Sequence, residues 1–266
     1  LVSYESDPIV GKTIADNYVV DDCIGEGGMG RVYRAHHSRL ERRKFAVKIL
    51  LGELAASEEM RRRFELEAQA ASRLHHANVV PVLDFGQQGG LLYIVMEYVR
   101  GRTLSSIIDE GPMHERRVLE LSRKLCLGLA HAHEQGLVHR DFKPENVIVV
   151  DADDGEVPRI LDFGLAIIAD PGEAATRLTS AGMIMGTPAY ISPEQSSGKD
   201  VDHRTDLFAL GIAMYEMLAG TLPFSGTVME VLASNAVREP PPISERTPGV
   251  TVSPQLEQIV FKLLAK

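Results

Sequence analysis

Basic residues are short in this chain: 28 Lys and Arg stand against 37 Asp and Glu in 266 residues, a formal net charge of −9. Nucleic-acid surfaces hold phosphates through a basic excess, so this balance argues against such a partner. Cysteine is scarcer, with Cys23 and Cys126 alone and far apart. That argues against a disulfide framework, makes a reducing compartment the default, and has each cysteine read as a small buried hydrophobe. No apolar run reaches the ~18–20 residues of a membrane helix; the nearest, "LLYIVMEYV" (91–99), carries Glu97. The opening "LVSYESDPIV" lacks the basic and apolar regions of a signal peptide. The stretch therefore reads as cytoplasmic, without membrane contact of its own. It starts without Met and stops inside the apolar helical pattern "LEQIVFKLLAK", as a piece of something longer would, and an anchor elsewhere is left open. Internal repeats are lacking too, as are Cys or acid clusters at ligand spacing around "HAH" (131–133) and the other histidine doublets. His131 and His133 are expected as surface or capping residues.

What is present is an ordinary globular composition, 44% apolar and 24% charged, in a chain long enough to bury a sizeable core. Between about 18 and 51, "YVVDDCIG", "GRVYRAHH" and "KFAVKILL" read as strands separated by turn residues. A helix is expected over "SEEMRRRFELEAQAASRLHH", then strands over "VVPVLDFG" and "LLYIVMEYV". From Gly101 onward helical periodicity dominates. "RRVLELSRKLCLGLAHAHEQG" ends on a glycine suited to the position after a helix C-cap. "RTDLFALGIAMYEMLAG" is apolar nearly all round, as a fully buried helix is. The expected organisation is α+β: a small β-rich part, a junction near 97–101, and a larger helical part. "REPPPISERTPGV" (238–250) reads as a stiff polar connector.

The first helix holds a glutamate on its apolar face. Met60, Phe64, Ala71 and Leu74 recur at helical spacing, and Glu67 completes the stripe; all five lie within about 80° at 100° per residue. Glu58, Glu59 and Glu65 point elsewhere. A carboxylate on a buried face needs a cation, and Lys48, inside the apolar "FAVKIL", is the candidate. "GEGGMGRV" (25–32) sets Gly25, Gly27 and Gly30 in a G-x-G-x-x-G-x-V pattern that lets backbone approach a polyphosphate. A dinucleotide-binding unit would need a helix directly after it. Here a strand follows, giving a flap between strands with Lys48 on the next one.

"VHRDFKPEN" (138–146) packs acid, base and amide ahead of the apolar "VIVV". With "GEGGMGRV", "FAVK", Glu67, "DFG" (162–164), "GTPAYISPE" (186–194) and "RTDLFALG" (204–211), it stands in an order that resembles the eukaryotic-like protein kinases. "GEGGMGRVYRA" and "YIVMEYV" resemble the bacterial serine/threonine branch. The resemblance runs from about Tyr18 to the end. It implies a bilobal protein-kinase fold: residues 1–17 as an extension, an N-lobe about 18–96, a hinge about 97–101, and a C-lobe about 102–266 cut short at its end.

The same resemblance implies the chemistry. Phosphoryl transfer depends mainly on alignment and charge neutralisation. Asp141 would take or orient the proton of the attacking hydroxyl, and Lys143 would neutralise the moving phosphoryl group. Lys48, held by Glu67, would bind the α- and β-phosphates. Asn146 and Asp162 would hold Mg²⁺, which Mn²⁺ can replace, through oxygen. ATP would lie against Gly25, Glu26, Gly27, Gly28, Gly30, Val32, Ala46, Met96, Glu97, Val99 and Ile148. Lys143 and Thr187 mark the serine/threonine pattern, Thr187 bridging Asp141 and Lys143. Thr176, Thr179 and Ser180 are candidate phosphosites, Thr179 foremost, with Arg140 as one cation for a loop phosphate. A second basic position common in the family is Ile167 here. Asp206 would support the loop of Asp141 by accepting backbone N–H bonds. Glu194 would pair with an arginine beyond Lys266. His139 is expected as core packing. The long gap between Asp141 and Asp162 is expected as an enlarged hairpin turn at "DADDGEVP" (151–158). Protein substrates are implied, and a homodimer for autophosphorylation is compatible. A catalytically silent scaffold is opposed by the filled positions. A small-molecule phosphotransferase is opposed by "GTPAYISPE" and Arg140.

Overall fold

The computed structural model describes residues 7–27, 30–50, 58–163 and 188–266. It divides into two compact units, Leu1–His75 with Val80–Val99, and His76–Val79 with Arg100–Lys266.

Among the described residues, the first unit is a six-stranded antiparallel sheet of order β1-β2-β3-β4-β6-β5, with one helix. Its strands are β1 (Thr13–Ile14), β2 (Tyr18–Gly27), β3 (Gly30–His37), β4 (Leu40–Leu50), β5 (Val82–Gln88) and β6 (Leu91–Glu97). Alternation along β3 and β4 sends Tyr33, Ala35, Phe45, Val47 and Ile49 into one buried cluster with Val20, Tyr93 and Val95, as a period of two dictates. The residues before Tyr18 belong to this unit: β1 pairs Thr13 with Val19, Ile14 is buried, and Tyr33 Oη donates to Asp7 Oδ2 at 3.0 Å.

Helix α1 (Glu58–Ala71) buries Phe64, Glu67, Ala68 and Ala71, and Leu74 follows them into the interior. Glu58, Glu59 and Glu65 are exposed, and Arg63 pairs with Glu59 at 2.6 Å one turn away. The glutamate of the apolar face is therefore buried, as its phase requires.

The second unit has a three-stranded sheet of β7 (Arg102–Thr103), β8 (Val147–Ala152) and β9 (Gly155–Ile160). Its helices among the described residues are α2 (Leu104–Ile108), α3 (Glu115–Glu134), α4 (Pro193–Ser196), α5 (Arg204–Ala219), α6 (Val228–Val237), α7 (Ile243–Arg246) and α8 (Pro254–Leu263). Helix α3 stops where Gly136 takes φ 76°. Helix α5 is buried nearly all round. Among the described residues no helix is long and apolar enough to cross a membrane.

Several expectations are corrected. The 151–158 insertion lengthens β8 and β9 rather than enlarging the turn: Asp151 pairs with Glu156 and Ala152 with Gly155, leaving only Asp153 and Asp154 to reverse the chain. Arg117 grips Glu156 through two bonds of 2.8 and 2.6 Å, and Lys124 donates to its carbonyl at 2.6 Å, so the longer hairpin is pinned to α3. The 238–250 stretch is docked, because Ile243 is fully buried in α7 and Tyr215 Oη donates to Pro241 O at 2.9 Å. Cys23 and Cys126 are exposed, not buried. Cys23 lies where β2 runs out toward the glycine turn, and Cys126 lies on the outer side of α3 beside the exposed Leu127.

Candidate active site

The first unit supplies a face of mixed character. Directly opposed residues of an antiparallel ladder share a face, and Val32 opposes Lys48, Lys48 opposes Ile94, and Ala46 opposes Met96. Val32, Ala46, Lys48 and Met96 therefore line the side of the sheet away from the Tyr33–Val47 cluster. Lys48 and Glu67 are each only 9% exposed, a degree of burial that ionisable side chains reach only with compensation. The turn at 25–30 is a hairpin, with Gly25 opposite Val32, Glu26 opposite Arg31 and Gly27 opposite Gly30. Arg31 and Glu26 form an ion pair at 3.0 Å. Gly30 has φ 153°, and a Cβ there would lie 2.1 Å from Ile49 O, so only glycine fits. Gly28 lies outside the described residues. Glu97 and Val99 are half-buried, at the end of the first unit.

The second unit assembles the "HRDFKPEN" residues. Lys143 Nζ donates to Asp141 Oδ1 and Oδ2 at 3.1 and 2.9 Å. Asn146 Nδ2 donates to Asp141 O at 2.8 Å and to Oδ2 at 3.3 Å. The Asp141 side chain is still 39% exposed, so its carboxylate is oriented and still reachable from solvent. A 3-10 turn at Pro144–Asn146 passes straight into β8, and Ile148 sits half-buried on that strand. Leu161 N donates to Asn146 O at 2.8 Å, so Asp162 follows one residue after the backbone partner of Asn146. Asp162 takes φ 58°.

His139 ties these pieces together. It is fully buried, and its ring meets Phe142 and Phe163 edge-on at 5.9 and 4.8 Å. Its Nδ1 accepts from Asp141 N at 3.3 Å, so Nε2 carries the proton that faces Leu161 O at 2.7 Å. One neutral imidazole thus joins the backbone of Asp141 to that preceding Asp162.

Asp206, fully buried at the start of α5, accepts from His139 N and Arg140 N, both at 2.8 Å. The expected acceptor role is in place, and the structure adds a third partner, His133 Nε2, at 2.7 Å. His133 is thereby corrected from a surface or capping residue to part of the support. It lies 73 positions from Asp206, and no local pattern signals the contact. His131 stacks on His76 at 5.4 Å. Arg140 has φ 64°, a left-handed backbone costing a non-glycine residue about 1–3 kcal/mol. Its Nε is buried without a hydrogen-bond partner among the described residues.

Beyond residue 187, Pro188–Tyr190 forms a 3-10 turn. Asn235 Nδ2 holds it by donating to Ala189 O and Ile191 O at 2.9 and 3.1 Å. Tyr190 Oη donates to Glu216. Burial pushes both groups above their ordinary ranges, and each further raises or offsets the other through that contact. Glu194 is half-buried in α4. Thr176, Thr179, Ser180, Thr187, Ile167 and Gly164 lie outside the described residues.

The comparisons with known proteins agree with one another. The protein kinase domain family matches residues 18–266. The serine/threonine-protein kinase pkn3 of Myxococcus xanthus is 42% identical over 266 residues, covering 98% of this chain and 48% of that protein. PrkC of Bacillus subtilis, also a serine/threonine-protein kinase, is 36% identical over 260 residues, covering 97% and 39%. This chain thus spans about half or less of such relatives. Among solved structures, a mutant PknI kinase domain of Mycobacterium tuberculosis superposes with a TM-score of 0.71 at 29% identity, covering 96% of this chain and 90% of that one. Rad53 in complex with AMP-PNP gives 0.76 at 25% identity, covering 94% and 60%. With a β-rich antiparallel sheet, a helical second unit and these matches, the chain belongs to the protein kinase domain family, in the branch of the bacterial serine/threonine kinases.

Proposed function

We propose that this chain transfers the γ-phosphoryl group of Mg·ATP to serine and threonine hydroxyls of proteins, in bacterial signalling. The observation that carries the reading is the Asp141 carboxylate, oriented by Lys143 and Asn146 yet still partly exposed. The substrate hydroxyl oxygen bonds to the γ-phosphorus, the bond from that phosphorus to ADP breaks, and the hydroxyl proton passes to Asp141. Lys143 Nζ, already against that carboxylate, faces the charge gathering on the transferred group. In the first unit Lys48 holds the α- and β-phosphates and Glu67 neutralises Lys48, a pairing their common burial favours. Val32, Ala46 and Met96 on the same sheet face, with Glu97 and Val99, take the adenine. Gly25, Glu26, Gly27, Gly28 and Gly30 cover the phosphates.

The donor set suits a hard divalent cation. Asn146 Nδ2 is committed to Asp141 O, which leaves Oδ1 for a cation, and Asp162 offers a carboxylate one residue beyond the Leu161–Asn146 bond. Mg²⁺ takes one or two such protein oxygens and completes its shell with phosphate and water; Mn²⁺ has the same preference for oxygen. When bound, the ion neutralises phosphate charge and orients the γ-phosphate.

Autophosphorylation within 164–187 fits the same reading. The buried Arg140 Nε lacks an acceptor among the described residues, and a phosphate on Thr179, or on Thr176 or Ser180, would supply one. Thr187 is assigned the bridge between Asp141 and Lys143 when the peptide site is formed.

The test is phosphate transfer from labelled ATP to a generic protein substrate, with Mg²⁺ or Mn²⁺. Lys48→Met or Asp162→Asn is expected to lower the rate by about 10²–10³ or more, the loss typical when a transition-state charge partner is removed. Parent-level transfer in either variant refutes the assignment.

A further inference from the structure

The strained residue before Asp141 has both of its backbone polar groups held from a distance. Arg140 N–H is taken by Asp206 Oδ1, and Arg140 C=O accepts from Gln195 Nε2 at 2.7 Å. The peptide leading from Arg140 into Asp141 is thereby clamped at both ends, because its other group, Asp141 N–H, donates to His139 Nδ1.

Gln195 is itself fixed. Its Oε1 accepts from Ser192 N at 3.1 Å while its own N–H reaches Ser192 Oγ at 3.4 Å, a reciprocal capping box on α4. Ser192 Oγ is 2.7 Å from Thr205 Oγ1, and both residues are buried. Thr205 is the neighbour of Asp206, so the bonds close a ring through Asp206, Arg140, Gln195, Ser192 and Thr205. A capping box needs only an acceptor at its third helical position, which glutamate supplies equally well. The amide donor is what glutamine adds, and that donor is spent on Arg140.

We propose that Gln195 is a positioning residue for Asp141: its amide fixes the peptide that carries the reacting carboxylate, coupling the Ser192 cap of α4 to phosphoryl transfer. The proposal rests on the role given to Asp141 above. Because a reacting group displaced by about 1 Å can cost on the order of 10² in rate, loss of one clamp on this peptide should act on turnover and not on binding.

The experiment uses the chain as it stands, with Gln195→Glu and Gln195→Ala. Glu at this position keeps the cap but at neutral pH turns a donor toward Arg140 O into a repelling carboxylate. The melting temperature of Gln195→Glu should fall less than that of Gln195→Ala, since the capping acceptor is kept. Its kcat should fall about tenfold or more, with KM for ATP and for the protein substrate within about twofold. The deficit should shrink as pH falls toward the carboxylate range, where protonation restores a donor. Gln195→Ala should lose both turnover and thermal stability. Gln195→Glu at parental kcat overturns the proposal, as does a fall in kcat that tracks an equal loss of melting temperature in both variants. Transfer that persists undiminished in Asp141→Asn would instead strike the functional reading beneath it.

Discussion

Replacing Asp206 by alanine is the sharpest stability test, because one buried carboxylate holds three donors. His139 N–H, Arg140 N–H and His133 Nε2 all lie 2.7–2.8 Å from its oxygens. Asp206→Ala leaves two enclosed backbone donors without acceptors, at about 1–3 kcal/mol each, and removes the contact holding Arg140 in its left-handed backbone. A total of about 3–5 kcal/mol follows, the scale seen when one partner of a buried charged network is deleted. In a domain of this size each kcal/mol moves the melting temperature by about 2–4 °C, so a drop on the order of 10 °C is expected. Asp206→Asn keeps one oxygen and should lie between. His133→Ala removes one donor from a carboxylate that keeps two, and should cost only about 1–2 kcal/mol. Thermal melts beside initial rates on a protein substrate give the ordering, with turnover falling in step as the loop of Asp141 loosens. An Asp206→Ala protein that melts within about 2 °C of the parent, against the slope above, refutes the reasoning. So does a His133→Ala protein as unstable as Asp206→Ala.

Two glycines of the flap should separate folding from binding. A Cβ on Gly30 would meet Ile49 O at 2.1 Å, whereas one on Gly27 would meet nothing within 4 Å among the described residues. Gly30→Ala should therefore lower the melting temperature and raise KM for ATP, while Gly27→Ala should raise KM with the melting temperature unchanged; equal melts for the two contradict this. Glu216 gives a pH signature. Burial raises its carboxyl above the ordinary range, so the folded state binds that proton more tightly than the unfolded one. Its contribution is most favourable at pH values below the unfolded carboxylate range and is lost as pH rises through the raised folded value. Glu216→Gln, which still accepts from Tyr190, should gain stability relative to the parent between about pH 5 and 8. Denaturant midpoints at both values check it, and a difference independent of pH counts against it.

Much of the fold is legible locally. Period-two alternation and turn residues place β3 as observed, the 3.6 period puts Glu67 on the buried face of α1, and Gly136 ends α3 where its lack of a side chain allows. The grouping of Asp141, Lys143 and Asn146 is legible because the three stand within a few positions of one another and bond locally. What escapes is long-range. The bonds of His133 to Asp206 and of Gln195 to Arg140 span 73 and 55 positions, and neither residue type is unusual on a helix. The burial of Ile243 in a proline-rich stretch depends on what docks against it. The β8–β9 insertion reads as a loop from its Asp and Gly content, yet register and the Arg117–Glu156 pair make it strand.

The central claim is that Asp141 works with Lys143, Asn146 and Asp162 in moving a phosphoryl group. The measurement that bears on it most directly is mass spectrometry of the chain after incubation with ATP and Mg²⁺, beside an Asp141→Asn control. Phosphate is predicted on the peptide covering 164–187, at Thr179 foremost, in the parent and not in the control. Equal phosphate on both proteins, or none on a folded parent that also leaves protein substrates unmodified, would contradict it.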